Sequence, residues 1–228
     1  MKLIQADQHV IIVAGGSGTR MGSTIPKQFL ELSGLPILIR TISAFYRYSE
    51  ELNIVLVLPE SESGIWSALC KKFNFDIPHT LIAGGKTRFD SVKNGLATID
   101  GGIVAIHDGV RPLITSRAIE KAFVAAKAHG SAVLSVPLKD SIRKFEGGKN
   151  VSALRSDFVT IQTPQLFEVK KLKEAFDVPY QELFTDDANV YQHAGHDIHL
   201  VTGDYQNIKI TTPEDMIIAE ALLENRIG

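Results

Sequence analysis

Residues 10–22 read Val10-Ile11-Ile12-Val13-Ala14-Gly15-Gly16-Ser17-Gly18-Thr19-Arg20-Met21-Gly22. Four apolar, mostly β-branched residues run straight into a glycine-rich loop, the pattern of a buried strand that ends at a ligand-binding turn. Glycines there let backbone N–H groups close on phosphate oxygens with no Cβ in the way. Spacing excludes the two common nucleotide loops. The dinucleotide pattern G-x-G-x-x-G would need glycine at position 21 after Gly16 and Gly18, where Met21 stands. A Walker loop would close on Gly-Lys-Ser/Thr, which is missing here; Gly85-Lys86-Thr87 has that ending, but Thr80 occupies the place of its earlier glycine. What remains is a glycine loop with two cations, Arg20 and Lys27, set among small or apolar residues. Two such charges suit a triphosphate and the extra charge of a phosphoryl transition state. The plainer alternative is a tight turn with solvated cations.

Outward from this strand, short apolar runs alternate with amphipathic stretches, which predicts an α/β fold built on a mainly parallel sheet flanked by helices. The expected buried strands are Val10–Val13, Ile54–Leu58, Leu81–Ala83, Ile103–His107 and Ala132–Val136. Helical faces are expected from Leu38, Ile42 and Phe45, from Ile65, Leu69 and Phe73, and from Val92, Leu96 and Ile99. A C-terminal helix is predicted with Thr212 as its cap, Pro213 in its first turn, Asp215 three residues after the cap, and an apolar face through Ile218, Ala221 and Leu222. One segment breaks the alternation. Ser141–Phe145, the turn Glu146-Gly147-Gly148-Lys149 and Val151–Leu154 read as a β-hairpin too polar for the core, hence a projecting arm over about residues 139–156. His193-x-x-His196-x-x-His199 falls on a turn and a strand rather than on a zinc-binding helix. Asp186-Asp187 after Thr185 reads as a helix start with favourable macrodipole charges.

The 228 residues, 44% hydrophobic and 22% charged, suit one domain with a substantial core. A formal charge of −2 argues against nucleic acid or a membrane surface as partner. No apolar run approaches the roughly 18–20 residues of a membrane span. Cys70 stands alone, so no internal disulfide forms; it lies on an apolar helical pattern, where burial rather than thiol chemistry is expected. With no signal-peptide pattern at the N-terminus, the expected location is the cytoplasm.

Ala14-Gly15-Gly16-x-Gly18-x-Arg20-Met21-Gly22 with Pro26-Lys27-Gln28 resembles the signature loop of the sugar-phosphate nucleotidylyltransferases. Four further blocks follow in order: Gly84-Gly85-x-x-Arg88-x-x-Ser91-Val92, His107-Asp108-x-x-Arg111-Pro112, Thr163-Pro164-Gln165 and Asn207-Ile208-Lys209-Ile210-Thr211. Five blocks in register, spanning nearly the whole chain, resemble the 2-C-methyl-D-erythritol 4-phosphate cytidylyltransferase family.

That resemblance implies a Rossmann-like fold and transfer of a cytidylyl group from CTP to a sugar-alcohol phosphate, with release of pyrophosphate. It implies catalytic roles for Arg20 and Lys27, and nucleotide binding by Ala14, Gly15, Gly16, Gly18, Gly84, Gly85 and Ser91. It gives Asp108 a magnesium ion (Mg2+), and gives Arg111, Ser141, Arg155, Thr163 and Lys209 the acceptor phosphate. It further implies a homodimer whose arms reach into the neighbouring subunit. The residue types suit these tasks. A lone strand-end carboxylate with phosphate oxygens and water makes a normal magnesium shell, and a dianionic phosphate wants arginine, lysine and hydroxyl donors. Lys86 stands where the family often has an acidic residue, and Ser141 where it often has threonine. Two rival readings stay open at this point: a ribitol 5-phosphate cytidylyltransferase, with which the Gly15-Gly16 pair is shared, and a non-catalytic nucleotide-binding regulator on the same fold.

Overall fold

The computed structural model describes residues 7–16 and 25–227. Its strands are β1 (Gln8–Val13), β2 (Glu31–Leu32), β3 (Leu35–Pro36), β4 (Asn53–Leu58), β5 (Thr80–Ala83), β6 (Ile103–Asp108), β7 (Ser131–Pro137), β8 (Ile142–Glu146), β9 (Lys149–Ala153), β10 (Val159–Glu168) and β11 (Leu200–Thr202). The helices are α1 (Ile37–Tyr48), α2 (Ser63–Lys72), α3 (Arg88–Leu96), α4 (Ser116–His129), α5 (Val169–Ala175), α6 (Asp187–His193) and α7 (Pro213–Ile227). Seven strands form one sheet in the order β11-β7-β10-β6-β1-β4-β5. All five expected strands are present, each extended by one or two residues. The run β6-β1-β4-β5 is parallel, and β11 is parallel to β7. Two sheet strands lie outside those five: β11, and β10, which lies antiparallel between β6 and β7 and shifts register between Ile161 and Gln165. Pro164 falls inside that shift, where the missing N–H costs no ladder bond.

Both faces of the sheet are covered, which is why its central strands read as unbroken apolar runs. Val10 and Ile12 point to the side packed by α1 and α4, while Ile11 points to the side packed by α3 and α5. Leu38, Ile42 and Phe45, and Val92, Leu96 and Ile99, are all buried as expected. Two helical faces differ from expectation. On α2 Leu69 and Phe73 pack on the core as expected, but the buried residue is Trp66, not Ile65; its ring packs with Phe29 and Phe75, and its Nε1 donates to His79 Nε2 at 3.0 Å. On α7 the packed residues are Met216, Ala219, Leu222 and Leu223, set against Leu32, Ile37, Val110 and Ile210, while Ile218 and Ala221 face out. Docking angle selects between neighbouring stripes of similar hydrophobicity, and the stripe alone does not report it. The start of α7 is held by Asp215, whose Oδ2 accepts from Thr211 N, Thr211 Oγ1 and Thr212 N at 2.7–2.8 Å. This is the return half of the expected capping arrangement.

The arm is a separate two-stranded sheet, β8 with β9, closed by Gly147 and Gly148 at φ 57° and 77°. Positive φ at both central positions is the demand of a two-residue turn whose twist matches the strands, and glycine meets it without strain. Phe145 on this arm is 83% exposed and Leu154 at its base 69%. Cys70 is half-buried, and burial pushes its thiol up. His193 is the last residue of α6 rather than part of a turn, His196 follows Gly195, and His199 stacks on His129. No cluster of three or more His, Cys, Asp or Glu side chains suited to a metal occurs among the described residues. No described helix is long and apolar enough to cross a membrane.

Candidate active site

The C-terminal ends of β1, β4, β5 and β6 open on one cleft of about 300 Å³. Chain order turns outward from β1 through β4 to β5, then returns to β6 on the other side of β1, so the cleft lies at the switch point where a doubly wound sheet offers space to a ligand. Of the predicted site residues, Ala14, Gly15, Gly16, Lys27, Gly84, Gly85, Ser91, Asp108 and Lys209 all line it. Gly18 and Arg20 lie outside the described residues.

Each wall has a local cause. Lys27 opens a single 3-10 turn after Pro26, and its Cε and Nζ lie 3.5 and 3.8 Å from where a Cβ on Gly16 would stand. The ammonium therefore sits against the glycine loop. Behind it, buried Gln28 ties the loop down, donating through Nε2 to Ala14 O at 2.7 Å and to Glu62 Oε2 at 2.6 Å. On the opposite wall Thr87 and Asp90 make a reciprocal capping box at the start of α3. A Cβ on Gly85 would run into Asp90, with backbone carbon atoms at 3.1–3.2 Å, so only glycine lets this loop fold back on the helix. Ser91 Oγ accepts from Gly85 N at 3.1 Å and donates to Thr87 O at 2.9 Å.

Asp108 ends β6 at the centre of three cations. Its Oδ2 lies 3.1 Å from Lys209 Nζ and 3.3 Å from Arg111 Nε, and its Oδ1 lies 3.8 Å from Arg88 Nε. Burial alone would raise this carboxyl; Arg88, Lys209 and Arg111 overcome that and hold it well below the usual carboxylate range. The strand end is pinned from behind. The Arg111 carbonyl can only accept, so His107 Nε2 carries the hydrogen that bonds it at 3.1 Å, and Nδ1 accepts from Thr163 Oγ1 at 3.1 Å. Thr163 Oγ1 accepts in turn from Asp108 N at 3.0 Å. Burial pushes His107 down to about 4, so the ring is neutral and bonded at both nitrogens.

The sequence model of the 2-C-methyl-D-erythritol 4-phosphate cytidylyltransferase family (IspD) matches residues 8–225. The chain belongs to this family. It is 45% identical to the 2-C-methyl-D-erythritol 4-phosphate cytidylyltransferase of Phocaeicola vulgatus over 95% of this chain and all of that protein. It is 44% identical to that of Bacteroides fragilis over 93% of this chain and 98% of that protein. The crystal structure of 4-diphosphocytidyl-2C-methyl-D-erythritol synthase from Anaerococcus prevotii superposes with a TM-score of 0.81 at 27% identity, covering 96% of this chain and 99% of that one. As a member of this family the chain is a nucleotidyltransferase, a cytidylyltransferase acting on 2-C-methyl-D-erythritol 4-phosphate.

Not every predicted residue of the cytidylyltransferase reaches the cleft. Arg111 stands behind Asp108, and its Nη1 donates to Asn207 O at 2.8 Å. Thr163 is buried with its hydroxyl already bonded twice, so it frames Asp108. Ser141 and Arg155 lie exposed at the base of the arm, away from the cleft lining; Arg155 Nη1 donates to Lys139 O at 2.6 Å. Conversely, Arg88, His107 and Asn207 were legible only as members of quoted blocks, with no role attached. Buried Asn207 donates to Thr163 O at 2.8 Å. Asp186-Asp187 does start α6, with Asp186 as its cap, and Asp187 has a further part that the sequence did not show: it is buried and grips Arg88. Burial disfavours the Arg88 charge, and the Asp187 and Asp108 carboxylates more than offset that, so the guanidinium stays ionised more firmly than usual.

A magnesium ion arriving with a triphosphate needs little from the protein, because phosphates and water fill most of its shell. Asp108 fits that demand. It lines the cleft, stays ionised, and keeps Oδ1 at 3.8 Å from the nearest cation among the described residues, Arg88.

Proposed function

We propose that this cleft holds CTP and 2-C-methyl-D-erythritol 4-phosphate together for in-line attack by an acceptor phosphate oxygen on the α-phosphorus of CTP. The new P–O bond forms as the bond to the β-phosphate breaks, and pyrophosphate leaves. The observation that carries this reading is that one cleft joins the glycine loop and Lys27 to the 84–91 loop, Asp108 and Lys209. Gly84, Gly85 and Ser91 shape the cytidine wall, where backbone groups can read a pyrimidine edge. Lys27, with Arg20, neutralises the triphosphate and the charge that builds on the reacting phosphorus. Asp108 holds magnesium, which supplies further neutralisation of the triphosphate and fixes its orientation. Lys209, in the cleft lining, attracts the acceptor phosphate, and Arg111 supports Asp108 from behind.

No side-chain base is needed, because a phosphate monoester with a second pKa of about 6 is already largely ionised at neutral pH. His107 supports this, since both its ring nitrogens are committed inside the protein. Catalysis then rests on positioning and charge stabilisation.

The acceptor site is completed by a second copy of the chain. Supporting this, among the described residues the arm's two strands pair with each other alone, Phe145 on it is exposed, and Ser141 and Arg155 lie away from their own cleft. A two-fold dimer would carry each arm to the other subunit's site. The deciding assay is pyrophosphate release from CTP with each acceptor. Turnover with 2-C-methyl-D-erythritol 4-phosphate is expected; turnover only with ribitol 5-phosphate, or with neither, overturns the reading.

A further inference from the structure

Arg88 touches two carboxylates unequally. Its Nη1 and Nη2 donate to Asp187 Oδ1 and Oδ2 at 2.9 and 2.6 Å, a bidentate pair, whereas its Nε stands 3.8 Å from Asp108 Oδ1. Asp187 is 1% exposed, at the first residue of α6 and 99 positions along the chain from Arg88. Asp187 is buried while Arg88 is half-buried on the cleft wall, and a carboxylate taken out of water is costly even when paired this well. The pair therefore asks for a reason beyond stability. Among the described residues, Lys209 and Arg111 take Asp108 Oδ2, and Oδ1 is the oxygen with no partner within hydrogen-bond distance. Closing about 1 Å would give Arg88 a charge-assisted bond of ordinary length to that oxygen. Asp187 competes for the same guanidinium and wins it.

We propose that Asp187 is a positioning residue: it holds Arg88 back from Asp108 and so keeps Asp108 Oδ1 open to a divalent cation brought in with the nucleotide. This rests on the reading of Asp108 as the magnesium ligand. The charge balance agrees. Among the described residues Asp108 and Asp187 are in ion pairs with three cations, Arg88, Arg111 and Lys209, and Asp186 adds a more distant charge on Arg88. With Asp187 removed, Asp108 is the carboxylate nearest to all three, and its Oδ1 would gain a guanidinium partner as Oδ2 already has.

The test is calorimetric binding of CTP with and without magnesium, which needs no acceptor and no turnover. In the unaltered enzyme magnesium should tighten CTP binding, and Asp108→Asn should abolish that gain. Asp187→Asn should shrink the gain by about tenfold while changing the binding of CTP alone far less. If Asp187→Asn does not fold, Asp187→Ser is read in the same way. Removing the guanidinium as well, in Asp187→Leu with Arg88→Met, should restore the magnesium gain; apolar replacement of a buried pair commonly preserves stability. A gain independent of Asp108 would overturn the reading of Asp108, and this proposal with it. A gain that Asp108→Asn abolishes but the single Asp187 variant leaves intact would overturn the proposal alone. So would a folded double variant whose gain stays lost.

Discussion

Lys27 is buried against Gly16 in the cleft that also holds Asp108, and its proposed task is to neutralise the reacting triphosphate. Lys27→Ala should lower kcat by about a hundredfold, roughly 3 kcal/mol of lost charge stabilisation, with a smaller rise in KM for CTP. Steady-state kinetics separate the two, and a near-normal kcat would take Lys27 out of the chemistry. His107 makes a different prediction. Its pKa lies at about 4 in the fold against 6.5 for the free side chain, so the unfolded chain binds the proton more readily. Its contribution is fully present above pH 6.5 and is lost as pH falls toward 4, on the order of 3 kcal/mol across that window. The stability gap between the unaltered enzyme and His107→Gln, read from denaturant midpoints, should narrow between pH 7 and 4.5. A constant gap would mean that His107 accepts its proton in place.

Among the elements, the start of α3 carries the tightest constraint on the site. Gly85 lies against Asp90, the residue that closes the capping box with Thr87, so a methyl group at position 85 must push the loop away from the helix. Gly85→Ala is expected to raise KM for CTP by about tenfold and to lower stability by about 1–3 kcal/mol, the usual cost of overpacking. The measurements are nucleotide saturation curves and thermal unfolding, and unchanged KM would remove this loop from the nucleotide wall. The same helix was plain in the sequence, because Val92, Leu96 and Ile99 recur at helical spacing with no competing stripe. On α2 and α7 two adjacent stripes were similarly apolar, and burial went to Trp66 and Ala219 rather than Ile65 and Ile218.

For the whole molecule, the arm makes the sharpest prediction. Subunits carrying Lys27→Ala are mixed with subunits carrying Arg155→Ala after dissociation and reassociation. If Arg155 serves the partner's cleft, each mixed dimer holds one doubly damaged site and one intact site, and roughly a quarter of the original activity should return with random pairing. If Arg155 acts within its own subunit, every site keeps a defect and nothing returns. Sedimentation should show a dimer in both parent proteins. A monomer would remove the shared site altogether.

The sequence by itself determined the α/β class, the five parallel-type strands, the hairpin arm and most of the cleft. It could do so because apolar runs, glycines at strand ends and the five ordered blocks are short-range patterns, each readable within a few residues. Tertiary structure alone decided what depends on distant partners. It set β10 antiparallel between β6 and β7, a placement hidden by Pro164 inside the run. It bonded Thr163, named from the sequence only as a phosphate contact, to both Asp108 N and His107 Nδ1. It joined Arg88 to Asp187 across 99 positions, where the sequence showed only a helix start. Pairings of this kind follow from chain topology and from the cost of burying an unpaired charge, and neither is written in local periodicity.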